Sequence, residues 1–186
     1  AYTHGSVKEA LRHIVGVQLR NLAPVGGSIY SRFGFSDVLT LFLAMDCSVE
    51  LYKGGIVSLQ EYAERPYDRD ILVRLIVKKT DAEYCYQSVR NSQTDIPVLT
   101  CAAARFADGS YRVAIGARPL KAVRFEFAAG KVPVPQLAQT MADEVKQQIV
   151  TGSNMRGSAE YRRHLAGVLT KRAVLELERH TAQEVN

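Results

Sequence analysis

Arg20-Asn21-Leu22-Ala23-Pro24-Val25-Gly26-Gly27-Ser28-Ile29, followed by Ser31-Arg32-Phe33-Gly34-Phe35-Ser36-Asp37, is the stretch around which the chain is organised. Paired glycines let a backbone take left-handed angles and let a ligand approach its amides. A run of N–H groups ending in Ser28 can cradle a phosphate, as nests and helix N-termini do elsewhere. A plain tight turn between two helices satisfies the same pattern, and a lone Gly-Gly pair does not choose between the two. Beyond the glycines, Ser36 reads as the N-cap of a helix over 37–45. Its residues Val38, Leu39, Leu41, Phe42, Leu43 and Ala44 are apolar nearly all round, which predicts a buried helix.

Before the glycines, residues 1 to 5 read as a loose polar end. Ser6 and Glu9 form a capping box opening a helix over 7–15. His13 sits within it with no partner at ligand spacing and reads as a surface or packing residue. After the buried helix, Cys47, Val49 and Leu51 alternate as in a half-buried strand. Lys53-Gly54-Gly55 turns the chain, and Ile56-Val57 returns beside it. Ser58 and Glu61 cap a short helix that Pro66 ends. Residues 71–77 make a β-branched strand with Ile71, Val73, Leu75 and Val77 on one face and Arg74 on the other. The polar junction Lys78 to Ala82 is the expected domain boundary. No Pro/Ser-rich linker marks it, so the two parts should pack together.

The second half reads as an antiparallel sheet followed by helices. Strands are expected over 83–89 and 96–106, and Asp108-Gly109 supplies a two-residue hairpin loop into 111–115. Tyr111, Val113 and Ile115 then face one way, Arg112 and Ala114 the other. Residues 119–127 fit a strand or a helix. Pro135 opens a helix to about Val150, with Leu137, Met141, Val145 and Ile149 facing the core. Gly157-Ser158-Ala159-Glu160-Tyr161 starts a last helix whose stripe is Tyr161, Leu165, Val168, Leu169 and Leu175. Arg172 and Glu176 fall on that stripe, so the helix either leaves the core there or docks on another chain. The fold class is therefore α+β, with an antiparallel sheet and helices first, and a small antiparallel sheet packed with helices second.

A length of 186 residues can bury a real core in one domain or two small ones. The net charge of +5 invites a nucleic-acid reading. However, Glu160, Glu176 and Glu178 are mixed among the six basic residues of 156–179, which reads as a solvated face or protein contact. Cys47, Cys85 and Cys101 lack any ligand spacing and read as reduced, mostly buried thiols of a cytoplasmic protein. No apolar run approaches a membrane span. No local motif brings together Ser/His/Asp, Cys/His, HExxH or P-loop chemistry, so any reaction here would be carried by a bound cofactor.

Taken together, the stretches resemble the FAD-binding subunit of molybdenum hydroxylases, the group that includes the flavoproteins of xanthine and carbon monoxide dehydrogenases. The resemblance rests first on Val17-Gln18-Leu19-Arg20-Asn21 running into Val25-Gly26-Gly27-Ser28, and then on Ser36-Asp37. Ala44-Met45-Asp46, Val49-Glu50-Leu51 and Asp70-Ile71-Leu72-Val73 are similar to the family as well. Arg90, Asp95, Ile115-Gly116-Ala117-Arg118-Pro119 and the long run from Arg156 to Leu165 resemble its C-terminal domain. The division implied is 1–80, the C-terminal part of an FAD-binding domain without its first subdomain, and 81–186, a CO dehydrogenase flavoprotein C-terminal-like domain.

That resemblance implies FAD as cofactor, with its phosphates held by Val25, Gly26, Gly27 and Ser28. It also implies a polar contact from Asp37 and a lining from Ile71 and Leu72. It places the run from Arg156 to Leu165 in packing and not in chemistry. The partners implied are a 2Fe-2S subunit that delivers electrons and a molybdenum-cofactor subunit that hydroxylates the substrate, with NAD or another acceptor downstream. Two departures stand out. Nothing here corresponds to the family's other glycine-rich phosphate loop, and Gln87 stands where many relatives carry a Lys near the flavin. The alternative expectation is a non-catalytic piece that serves assembly and no longer binds FAD.

Overall fold

The computed structural model describes residues 2–130 and 133–184. Its elements, in order, are α1 (Ser6–Arg12), α2 (Val17–Leu22), α3 (Val25–Tyr30), α4 (Asp37–Ala44), β1 (Cys47–Leu51), β2 (Gly55–Ser58), α5 (Leu59–Glu64) and β3 (Leu72–Val77). The second half adds β4 (Ala82–Val89), β5 (Leu99–Phe106), β6 (Tyr111–Gly116), β7 (Val123–Phe127), α6 (Val134–Gln148) and α7 (Ala159–Glu184). Two antiparallel sheets result, ordered β2-β1-β3 and β4-β5-β6-β7. The architecture is α+β, as the alternating patterns and the Asp108-Gly109 hairpin require. The hairpin forms at the expected place, but its loop has three residues, 107–109, and not two. The Phe106 amide donates to the Ser110 carbonyl across it, Gly109 takes φ +80°, and Asp108 accepts hydrogen bonds from the Ser110 amide and hydroxyl.

The four-stranded sheet lies between two hydrophobic clusters, which is why its residues alternate so strictly. Cys85, Cys101, Ala103, Tyr111, Val113 and Ile115 face α6 and α7. Tyr84, Tyr86, Ala102, Ala104 and Ala114 face the other way, into the cluster built on α4. The alanines on that face are small because α4 comes close. Val38, Leu39, Leu41, Leu43 and Ala44 are all buried there, together with Cys47, Val49 and Leu51 of β1. α4 is thus buried at every residue but the half-buried Phe42, and Ser36 caps it by accepting the Leu39 N–H.

Two glycines permit this approach. A Cβ on Gly34 would overlap the Leu120 carbonyl, and one on Gly116 would overlap the Thr40 and Thr100 hydroxyls and lie 2.9 Å from the Gly34 oxygen. Gly116→Ala is therefore expected to force α4 away from β6 and to cost about 1–3 kcal/mol by overpacking. A thermal or urea melt of the variant reads this directly, and an unchanged midpoint would show that α4 can yield.

Several sequence expectations are corrected. Residues 2–5 are not loose: the Tyr2 hydroxyl donates to the Lys78 carbonyl at 3.1 Å and accepts from the Thr80 amide at 3.0 Å. Ala1 lies outside the described residues. Ser6 does not cap α1. Gly5 occupies the cap at φ +91°, and the Ser6 hydroxyl is spent on the Tyr84 carbonyl at 2.6 Å. Residues 119–127 resolve into strand β7, which pairs with β6.

In β3 the strict alternation fails because a bulge opposite Glu50 and Leu51 shifts the register. Leu72, Leu75 and Val77 pack on the core, while Ile71 and Val73 are exposed. On α7 the buried stripe is turned from the one expected. It runs through Arg162, Leu165, Ala166, Leu169, Ala173, Val174 and Leu177, so Tyr161 is half exposed and the helix stays in the core well past the exposed Arg172. Glu176 accepts from the Gln87 amide at 2.9 Å. Among the described residues, no helix is long and apolar enough to cross a membrane.

Candidate functional site

The glycine pair is neither a nest nor a turn. Val25-Gly26-Gly27-Ser28 forms the first turn of α3, entered from the extended Pro24. Among the described glycines only Gly5, Gly55 and Gly109 have positive φ. Gly26 and Gly27 are therefore not demanded by backbone conformation. Nor are they demanded by packing: an added Cβ at Gly26 would meet Leu72 Cδ2 at 3.9 Å, and one at Gly27 would meet Pro24 Cγ at 3.7 Å, both ordinary contacts. Glycine weakens a helix by roughly 1 kcal/mol relative to alanine. Two of them in a six-residue helix leave bare backbone at a cost the chain's own fold does not explain.

That bare backbone borders a cleft of about 340 Å³ lined by Gly26, Gly27, Tyr30, Asp70, Ile71 and Leu72. The structure thus brings the glycine pair together with Ile71 and Leu72, which lie some 45 positions along the chain; Val25 and Ser28 flank the glycines on α3. Ile71 is 64% exposed, a bulky apolar side chain presented to the opening. Asp70 fixes the rim. Its carboxylate accepts from the backbone amides of Lys53, Gly54 and Ile71 at 2.8–2.9 Å, and these bonds, the Lys53 amide first, hold its pKa below the usual range.

Asp37 is elsewhere. Its side chain is 8% exposed and points to the second sheet, where Arg90 Nη2 and the Tyr86 hydroxyl both donate to Oδ1. Burial pushes its carboxyl above the ordinary range, and Tyr86 and Arg90 pull it back only in part. The chain of charges continues. Arg90 Nη1 donates to the Asp95 carbonyl at 2.6 Å, and Arg156 grips the Asp95 carboxylate with Nε at 3.0 Å and Nη2 at 2.7 Å. Of this set, Tyr86 was invisible to sequence reading, because it sits in an alternating strand like any core residue.

The cysteines offer no nucleophile. All three are free and buried, and burial pushes Cys47 and Cys101 up to about 12 and Cys85 upward as well. Among the described residues, no cluster of His, Cys, Asp and Glu is placed to hold a metal ion.

The fold thus sets a buried helix between two antiparallel sheets, with the bare-backbone helix α3 beside an apolar cleft. Residues 84–177 match the family described as the CO dehydrogenase flavoprotein C-terminal domain, and residues 2–80 match the FAD binding domain in molybdopterin dehydrogenase. The chain belongs to the family of FAD-binding subunits of molybdenum hydroxylases.

It is 28% identical over 165 residues to the uncharacterized protein YgfM of Escherichia coli K12, covering 88% of this chain and 62% of that one. It is 27% identical over 188 residues to the putative xanthine dehydrogenase FAD-binding subunit XdhB of the same strain, covering 90% and 64%. Among solved structures, carbon monoxide dehydrogenase from Hydrogenophaga pseudoflava aligns with TM-score 0.80 at 21% identity, over 95% of this chain and 68% of that one. Quinoline 2-oxidoreductase from Pseudomonas putida 86 aligns with TM-score 0.78 at 21% identity, over 92% and 66%. The chain spans less than two thirds of the length of these two curated relatives.

Proposed function

We propose that this chain is the part of a molybdenum hydroxylase flavoprotein that holds one side of FAD, in a complex where electrons pass from a 2Fe-2S subunit through the flavin to NAD or another acceptor. The observation that carries this reading is the glycine pair. It weakens α3 and serves neither φ nor packing, yet it leaves backbone open on a cleft whose other wall is Ile71 and Leu72. Val25, Gly26, Gly27 and Ser28 would hold phosphate oxygens, and Ile71 and Leu72 would face an apolar part of the cofactor. When bound, the flavin supplies redox chemistry that no side chain of this chain possesses. The protein's own contribution is to bind, orient and exclude water. A cleft of about 340 Å³ lies at the low end of the roughly 300–1,000 Å³ range for small-molecule sites, which suits one portion of a dinucleotide. Substrate hydroxylation would belong to a separate molybdenum-cofactor subunit.

A second reading is an assembly module without FAD. Leu22 at 85% exposure, with Val15, Val17, Leu19, Val25, Ile71 and Val73 also exposed, favours it. α2 contributes no buried residue, although six-residue helices are not stable without packing.

Gly27→Ala separates the two readings. Alanine fits the helix without a clash, so thermal stability should rise by up to about 1 kcal/mol. If the backbone of α3 receives phosphate, FAD uptake by the same variant, followed by flavin fluorescence quenching, should fall well below wild type. A variant more stable and equally able to take up FAD would remove the glycine pair from the site. Wild-type chain that stays colourless in excess FAD would favour the assembly module.

A further inference from the structure

Ser36 and Asp37 are neighbours with opposite errands. The Ser36 hydroxyl caps α4 through the Leu39 amide and donates to the Ser28 carbonyl of α3 at 3.3 Å, where the Ser31 hydroxyl also converges at 3.4 Å. Asp37 faces the other way, into Arg90 and Tyr86 of β4 and its following loop. Arg90 in turn holds the Asp95 carbonyl, and Arg156 holds both oxygens of the Asp95 carboxylate, one of which also accepts from the Ile96 amide. A path therefore runs from the loop before α7, through the loop after β4 to Asp37, along the backbone to Ser36, and from its hydroxyl to the helix that carries Gly26 and Gly27. Among the residues of helix α3 only Ile29 is buried. Its C-terminal end is also tied to the 65–68 segment, through the Tyr30 hydroxyl on the Asp68 carbonyl, the Tyr67 hydroxyl on the Ser31 carbonyl and Arg32 on the Pro66 carbonyl. The Ser36 contact is the tie that comes from α4.

We propose that Arg90 is a positioning residue for the glycine cleft, acting through Asp37 and Ser36, so that the second sheet sets the placement of α3 in the first half of the chain. Asp37 then belongs to the support beneath the cleft and not to its lining. The contact with Thr100, whose hydroxyl lies 3.1 Å from that of Thr40, ties α4 to β5 one turn further on and leaves the first turn of α4 to Arg90 and Tyr86, of which Arg90 alone continues to Asp95. Arg90 bears on cofactor binding only if the flavin reading above holds, whereas its hold on α3 is independent of any cofactor.

Hydrogen exchange on the full chain tests the hold directly. In Arg90→Lys and Asp37→Asn, the amides of Ser31 and Arg32, which donate to Gly27 and Ile29 carbonyls, should exchange about tenfold faster through local opening. Amides within β5 and β6 should keep their wild-type rates. Unchanged exchange in α3 overturns the proposal, and so does an equal acceleration everywhere, which is what a merely structural pair would give. Should Asp37→Asn fail to fold, Ser36→Ala cuts the same path at its other end and should loosen α3 with the Asp37–Arg90 pair intact.

The second arm is FAD titration of wild type and Arg90→Lys. A dissociation constant raised about tenfold supports positioning, and an unchanged constant in a wild type that binds overturns it. Absence of binding in wild type overturns the flavin reading instead, and exchange alone then decides for or against Arg90.

Discussion

Arg162→Ala is expected to lower the free energy of unfolding by about 3–5 kcal/mol, enough to threaten folding of a chain of ordinary marginal stability. Arg162 is wholly buried, yet no carboxylate partners it. Its guanidinium donates instead to the Val98 carbonyl at 2.9 Å, the Gly152 carbonyl at 2.9 Å, the Gly157 carbonyl, and Asn154 Oδ1 at 2.5 Å. It thus clamps the 152–157 loop to the start of β5 and to the first turn of α7. Truncation leaves several buried acceptors unmet, each worth roughly 1–3 kcal/mol, and opens a cavity. Arg162→Lys should recover only part of the loss, because a point ammonium cannot serve four acceptors spread around a planar fork. Urea denaturation of the three proteins measures the order. If lysine restored full stability, the fork geometry would be irrelevant and charge alone would suffice.

Breaking the Asp37–Arg90 pair should have an effect of similar size with a distinct pH signature. Both side chains are under a tenth exposed, so Arg90→Met strands a buried carboxyl at a cost of about 3–5 kcal/mol. Asp37→Asn keeps an acceptor for Tyr86 and should cost less. Burial raises the Asp37 carboxyl above its unfolded value, so the folded state holds this proton more tightly than the unfolded state. Its contribution to stability is fully present below the ordinary carboxylate range and is lost as pH rises through the raised folded value. Asparagine does not titrate, so the penalty of Asp37→Asn should shrink with rising pH over that window. In Arg90→Met the carboxyl loses its cation and is pushed higher still, so that penalty should stay level over this window and grow as pH rises above the wild-type folded value. A urea-midpoint gap to wild type that narrows with rising pH for Asp37→Asn and then widens for Arg90→Met would establish the linkage, whereas gaps that do not change with pH would show that Asp37 titrates as an ordinary carboxyl.

Much of this was legible in local pattern. The Asp108-Gly109 hairpin, the all-apolar helix after Ser36 and the alternation of Tyr111 to Ile115 each follow from a rule that acts within a few residues. The misreadings share a cause. Ser6 has the right chemistry for a cap, but the Tyr84 carbonyl, distant in sequence, competes for its hydroxyl. Ile71 and Val73 have the right spacing for a buried face, but a bulge set by the partner strand β1 moves Leu72 inward. Tyr161 has the right period for the α7 stripe, but Arg162 takes the inner position because backbone carbonyls of the 152–157 loop await it there.

The candidate site divides in the same way. Residues 25–28 and 71–72 were recognisable as motifs, and the assignment to the molybdenum hydroxylase flavoproteins rested on them and on the long run from Arg156 to Leu165. By itself the amino-acid sequence determined the α+β class, most of the elements and the family, because periodicity, turn chemistry and motif spacing are written along the chain. It did not determine the helices α2 and α3 or the strand β7. Only the tertiary structure decided that Gly26-Gly27 is a helical turn beside Ile71 and Leu72, and that Asp37 turns away from it to Arg90. The physical reason is that both outcomes depend on which distant groups compete for the same hydrogen bonds and the same buried space, and no local pattern records that competition.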